Sequence, residues 1–262
     1  MGSMSGKRVL VMGVANAHSI AWGIAKAMAD AGAELAFTYQ GEQLLKRVRP
    51  LAESVGSTLL IPADVTDSDA MDAAFETLAS HWDRLDCVVH AIAFTDKDEM
   101  VGRFVDTSRS NFSNSLEISC YSFIDVARRA APLMTEGGTL LTLTFQGSAR
   151  VTPHYNLMGV AKAALESAVR YLAADLGPDG IRVNAISPGP MKTLAGAAIR
   201  GARRTFRHTE ENAPLRANAT LDAVGGTAVY LASDAGACTS GEILHVDGGY
   251  HVMGMPHVDN LT

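Results

Sequence analysis

Short apolar runs rich in branched side chains alternate along this chain with stretches whose apolar positions recur at helical spacing. Arg8-Val-Leu-Val-Met-Gly13 is such a run, and residues 20–31 behind it carry the helical period. Further runs fall at 34–39, 58–63, 87–92, 139–144, 182–186 and 242–246, with helical patterns between most of them. The runs do not alternate apolar with polar residues, so burial on both faces is expected, as in a parallel sheet covered by helices. Strand and helix repeated in this order predict an α/β fold, a Rossmann-type doubly wound parallel sheet with helices on both faces. Its crossovers are right-handed and its ligand crevice lies beyond the carboxyl ends of the strands. No linker, charge run or internal repeat divides the chain, so residues 1–262 are expected to form a single dinucleotide-binding domain. Ser187-Pro188 reads as turn chemistry.

Composition narrows the partners. With 262 residues, 47% of them hydrophobic, the chain is long enough to bury a sizeable core. Apolar stretches such as 9–14 fall short of the about 20 residues that cross a bilayer, so no membrane is expected. A net charge of -6 disfavours nucleic acid as the main partner. Cys87, Cys120 and Cys238 lie far apart, and His90, His154, His245 and His251 are scattered, so neither set has metal-ligand spacing and no metal is expected. Without a secretory segment, a cytoplasmic location fits best. Cys120, on an expected helix, reads as a small core residue.

The crevice end of the first strand carries Gly13-Val-Ala-Asn-Ala-His-Ser-Ile-Ala-Trp-Gly23. Gly13 allows a tight turn and a close approach to a pyrophosphate. Ser19 and Ile20 stand where backbone N–H groups and the helix dipole favour a phosphate. Ser19 as a plain helix cap is the competing reading. The second strand ends in Phe37-Thr-Tyr-Gln-Gly41, where Gln40 replaces the usual acidic ribose partner and no basic residue follows to hold a 2′-phosphate. NADH is therefore expected over NADPH. Asp64-Val65 follows the third strand, where Asp64 either meets the adenine or caps a helix. Small residues in His90-Ala-Ile-Ala-Phe94 would let the nicotinamide ribose lie against the backbone.

The most informative stretch is Pro153-His-Tyr-Asn-Leu-Met-Gly-Val-Ala-Lys162. On a helix, Tyr155 and Lys162 are two turns apart on one face. An ammonium near the phenol would lower its pKa towards working pH and would also donate to the ribose hydroxyls of a cofactor.

Tyr155 and Lys162, the turn at Gly13 and Asn184-Ala-Ile-Ser-Pro-Gly-Pro-Met-Lys-Thr-Leu-Ala195 resemble the short-chain dehydrogenase/reductase superfamily. Ala36-Phe-Thr-Tyr-Gln40, Pro190-Met-Lys-Thr-Leu-Ala195 and His245-Val-Asp-Gly-Gly-Tyr250 sharpen this. Over nearly its whole length the chain is similar to the bacterial NADH-dependent enoyl-acyl-carrier-protein reductases of type II fatty acid synthesis. The resemblance implies cofactor contacts from Gly13, Ser19, Ile20, Gln40, Asp64, Val65, Ile92, Lys162, Met191, Lys192, Thr193, Leu194 and Ala195. It implies hydride delivery to C3 of a trans-2-enoyl thioester while Tyr155 donates to the thioester oxygen. It also implies an acyl carrier protein as partner and a homotetramer.

Two segments depart from the family pattern. Leu143-Thr-Phe-Gln-Gly147 has Phe145 where the family carries a second tyrosine, which keeps an aromatic face and loses a hydroxyl. Thr95-Asp-Lys-Asp-Glu-Met100 is more charged than expected for a loop bordering the acyl pocket, and Thr95 is a candidate substrate contact. Ile199-Arg-Gly-Ala-Arg-Arg-Thr-Phe-Arg-His208 gathers Arg200, Arg203, Arg204 and Arg207, which suits docking of an acidic carrier as well as a solvated helix face. The small residues 195–198 suggest a substrate lid over 194–208. Two alternatives stay open: a carbonyl reductase or alcohol dehydrogenase using Thr142 or Thr144 for the usual serine, and a non-catalytic NADH-binding paralogue.

Overall fold

The computed structural model describes residues 2–194, 196 and 201–260. In chain order the strands are β1 (Arg8–Met12), β2 (Glu34–Tyr39), β3 (Leu59–Pro62), β4 (Cys87–His90), β5 (Gly138–Leu143), β6 (Ile181–Pro188) and β7 (Ile243–Val246). They form one parallel sheet ordered β3-β2-β1-β4-β5-β6-β7. The order reverses between β1 and β4, and that switch point opens a crevice beyond the strand ends, as the alternating pattern predicts.

Successive strand residues serve opposite layers, which is why the strands read as unbroken apolar runs. Val9 and Val11 pack with Ile24 and Met28 of α1 (Ile20–Asp30), Val48 of α2 (Gly41–Ser54) and Val224 of α8 (Leu221–Ala232). Leu10 and Met12 face the other layer. There they meet Met71 and Leu78 of α3 (Ser68–His81), Phe123 and Val126 of α5 (Ser122–Ala130), and Leu165 and Val169 of α6 (Leu157–Leu176). Each wholly buried side chain of this size, such as Ile24 or Phe123, contributes about 1.5–3 kcal/mol. Two further helices complete the set described: α4 (Arg109–Leu116), which runs through a π-helical turn at Glu117–Tyr121 into α5, and α7 (Ala202–Asn212).

The turn expected at Ser187-Pro188 is corrected. Both residues lie in β6, with Ser187 paired to His245 and Pro188 to Val246 of β7. Proline is tolerated because it is the last strand residue, where its missing N–H costs little. Gly189 N–H then donates to the Val246 carbonyl at 2.9 Å.

Candidate active site

At the β1–β3 end the crevice is shaped by backbone. Gly13 has φ +95°, and a Cβ there would fall 2.1 Å from the carbonyl oxygen of Ala91, so only glycine lets the ends of β1 and β4 meet. Ser19 occupies the N-cap position of α1 but makes no side-chain cap. Its Oγ instead accepts from the N–H groups of Ala15 (3.0 Å) and Asn16 (3.1 Å), which folds the loop in front of the helix. The helix start keeps uncapped N–H groups at Ile20 and Ala21 and has no acidic residue in its first turn, so its positive end faces the crevice unneutralised.

Gln40 follows β2, and its Nε2 donates to Asp64 Oδ2 at 2.7 Å. Asp64 Oδ1 accepts from the N–H and the hydroxyl of Thr66 at 3.0 and 2.7 Å. Asp64 as a helix cap is corrected, because Asp67 caps α3 by accepting from Asp69 and Ala70. The Thr66 N–H, more than any other group, holds the Asp64 carboxyl below the usual carboxylate range. Val65 and Ile92 are half-buried against the sheet. Beyond β6, Met191 is half-buried, and Thr193 Oγ1 accepts from Gly196 N–H at 2.9 Å. The Lys192 ammonium lies 4.8 Å from the Phe206 ring centre on α7, and Leu194 is exposed. Ala195 and Arg200 lie outside the described residues, as does most of the small-residue segment of the expected lid.

Tyr155 is not on a helix, contrary to expectation. His154 and Asn156 both have positive φ, at 60° and 38°, which a helix cannot accommodate, and α6 starts only at Leu157. The turn lays the Tyr155 ring on the backbone of Gly147, where a Cβ would come within 2.3 Å of Cδ1. The Phe145 ring stands edge-on to it, with centroids 5.0 Å apart. Phe145 thus keeps the packing role of an aromatic residue while offering no hydrogen-bonding tip.

Lys162 is buried on α6, and its Nζ donates to the Leu143 carbonyl at the end of β5 at 2.8 Å. Burial pushes its pKa down to about 8, against the attraction of Cys120 and Glu166. The expectation that Lys162 lowers the phenol pKa is corrected, since burial first and then Glu166 push Tyr155 above the ordinary phenol range. At neutral pH the site therefore holds a protonated phenol, which is a donor, and a protonated amine seven residues on in α6.

Thr144 donates to Glu166 Oε1 at 2.6 Å, and Thr142 donates to the His90 carbonyl at 3.1 Å, so both hydroxyl protons are committed within the protein. Thr95 is corrected as well. Its buried hydroxyl donates to Asn111 Oδ1 (3.2 Å) and accepts from Ser115 (2.8 Å), so it braces α4. Its neighbour Phe94 is the exposed side chain at that strand end.

His90, set aside in the sequence as one of several scattered histidines, is wholly buried here. Its Nε2 is 2.8 Å from Ser122 Oγ and its Nδ1 3.3 Å from Thr142 Oγ1. Burial, reinforced by Lys162, pushes its pKa down to about 3, so it stays neutral. Glu166 and Asn156 also went unread. Glu166 sits one helical turn beyond Lys162, a spacing that would have flagged it; no comparable signal marked Asn156.

Arg203, Arg204 and Arg207 are exposed on α7. Among the described residues no cluster of His, Cys, Asp or Glu is arranged to hold a metal, and no helix is long and apolar enough to cross a membrane.

Comparison with known proteins matches residues 13–251 to a family model described as enoyl-(acyl carrier protein) reductase. An enoyl-[acyl-carrier-protein] reductase [NADH] of Rhizobium meliloti is 58% identical over 260 residues, covering 99% of this chain and 97% of that protein. The crystal structure of an enoyl-(acyl-carrier-protein) reductase from Anaplasma phagocytophilum in complex with NAD superposes with a TM-score of 0.94 at 54% identity, covering 98% of this chain and 96% of the other. FabI from Candidatus Liberibacter asiaticus gives 0.96 at 50% identity, covering 98% and 100%.

Proposed function

The chain belongs to the enoyl-acyl-carrier-protein reductase family, and from that premise we propose that Tyr155 and Lys162 carry its reaction at the crevice described above. The protein is an NADH-dependent oxidoreductase that reduces the trans-2 double bond of enoyl thioesters in type II fatty acid biosynthesis. The observation that carries the residue assignment is the buried, protonated phenol of Tyr155 laid on Gly147, with the desolvated Lys162 held at the end of β5 by the Leu143 carbonyl. A phenol whose pKa is raised suits donation to a developing oxyanion and does not suit proton abstraction from an alcohol. This favours a reductase over an alcohol dehydrogenase, and the committed hydroxyls of Thr142 and Thr144 weaken that alternative further.

The residues present fit a dinucleotide. The uncapped start of α1 at Ile20 would take the pyrophosphate, and Gly13 keeps the backbone low enough for it to approach. Gln40 and the ionised Asp64 would meet the adenosine, and a carboxylate at that end opposes a 2′-phosphate, in keeping with NADH. Val65, Ile92 and residues 191–195 would complete the contacts, and Lys162 would hold the ribose. When bound, the cofactor supplies the hydride. Tyr155 O–H donates to the thioester oxygen as charge gathers there, and Lys162 keeps a positive field on that oxygen. Phe145 packs the inner edge of Tyr155 and leaves it the sole aromatic donor of that pair.

The same reading assigns Arg203, Arg204 and Arg207, with Arg200, to docking of an acidic carrier protein, supported by the exposure of Arg203, Arg204 and Arg207 on α7. Residues 194–208 act as the substrate lid. The protein is taken to be a cytoplasmic homotetramer, supported by the exposed apolar side chains Phe112, Tyr121 and Ile124 along the α4–α5 stretch. The test is loss of nicotinamide absorbance with a crotonyl or longer enoyl thioester. Tyr155→Phe is expected to lower kcat by about 10²–10³-fold, the usual cost of one oxyanion donor. Turnover of a ketone but of no enoyl thioester would overturn the reading.

A further inference from the structure

Asn156 holds a backbone conformation that L-residues rarely adopt, φ 38° and ψ −120°, outside the left-handed helical region as well as the right-handed one. Its side chain shows what that conformation serves. Nδ2 faces the carbonyl oxygens of Glu99, Met100 and Gly102 at 3.4, 3.2 and 3.4 Å. Only the amide nitrogen can sit among three acceptors.

The segment held in this way is also stapled to α4. The Glu99 carboxylate accepts from the N–H and hydroxyl of Ser108 and from Asn111 Nδ2. Its outer side presents Val101, Phe104 and Val105, which are 44%, 51% and 71% exposed. A loop braced by so many polar contacts that still leaves these three apolar side chains open, with the exposed Arg103 among them, offers apolar surface to a ligand. On the Tyr155 side, the Asn156 carbonyl accepts from Gly159 N–H at 3.0 Å, in the first turn of α6. Asn156 is therefore the covalent and hydrogen-bonded link between this loop and the catalytic phenol.

We propose that Asn156 is a positioning residue that ties the apolar loop 99–105 to the turn carrying Tyr155, so that a long acyl chain resting on the loop helps set the phenol for donation. The proposal rests on the reading of the protein as an enoyl thioester reductase. A short acyl group does not reach the loop and gains nothing from the tie.

Asn156→Gly keeps the backbone free to hold this turn and Asn156→Asp keeps the side-chain shape, and neither can donate to the three carbonyls. With NADH, kcat/KM for a dodecenoyl thioester is expected to fall about five- to tenfold, most of it in kcat, as for loss of one such hydrogen-bonding group. kcat/KM for the crotonyl thioester and the calorimetric affinity for NADH should stay near wild type, which also shows that the variants fold. Amide exchange in residues 98–106 should become faster. Equal changes for both thioesters, no change for either, or unaltered exchange would overturn the proposal. Failure of the wild-type protein to turn over either thioester would instead defeat the functional reading beneath it.

Discussion

The two ends of the crevice are built in opposite ways. At the β1–β3 end most partners are near neighbours in the chain: Ser19 with Ala15 and Asn16, and Asp64 with Thr66. These contacts are at or near the surface and bury no unpaired charge. At the β4–β6 end the partners are distant: Lys162 with Leu143, Glu166 with Thr144, and His90 with Ser122 and Thr142. There Lys162 and His90 are buried, and their pKa values move far from ordinary. A rim of backbone dipoles suffices to receive a ligand that brings its own charge. Placing a donor and a cation at a reacting atom needs enclosure, and enclosure costs stability that the rest of the fold must supply.

The strongest way to break this comparison is Lys162→Met. Catalytic efficiency is expected to fall about 10–100-fold, the range for losing a hydrogen bond to a charged group. Thermal stability should hold or rise, because a desolvated ammonium is removed. Below about pH 8 the folded and unfolded chains both carry this proton, and the burial cost is felt in full. Between about pH 8 and the ordinary lysine value of 10.5, the unfolded chain binds the extra proton, so wild-type stability gains from this group as pH rises. Urea melts of both proteins across that window should show the gain in wild type alone; equal slopes would place the shifted group elsewhere.

His90→Asn tests burial without touching the reacting groups. Above the ordinary value of 6.5, His90 is neutral in both states and its contribution is complete. As pH falls from there towards about 3, the unfolded chain protonates first and stability is lost. The variant should lose about 2–3 kcal/mol less than wild type between about pH 7 and pH 4 in denaturant titrations.

The smallest effect is expected at the open end. Asp64→Asn should weaken NADH binding only about two- to fivefold, as for one solvent-accessible hydrogen bond, and should narrow the preference for NADH over NADPH. Calorimetry with both cofactors decides it. A loss as large as that of Lys162→Met would erase the contrast between the two ends.

The local pattern was enough to read the strands, because burial on both faces leaves an unbroken apolar run such as Val9 to Met12, and enough to set helices between them. It was also enough to put Gly13, Ser19, Gln40 and Asp64 at strand ends, since turns and caps are made by near neighbours. Spacing put Lys162 on its helix but put Tyr155 there too, because the positive φ of His154 and Asn156 leaves no mark in an apolar pattern. Pro188 looked like a turn until β7 was seen pairing beside it. Thr95 looked like a pocket residue until α4 closed over its hydroxyl. The protonation of Tyr155, Lys162 and His90 was decided by tertiary structure alone. Sequence records which groups can ionise, whereas desolvation depends on which distant segments fold over them and exclude water.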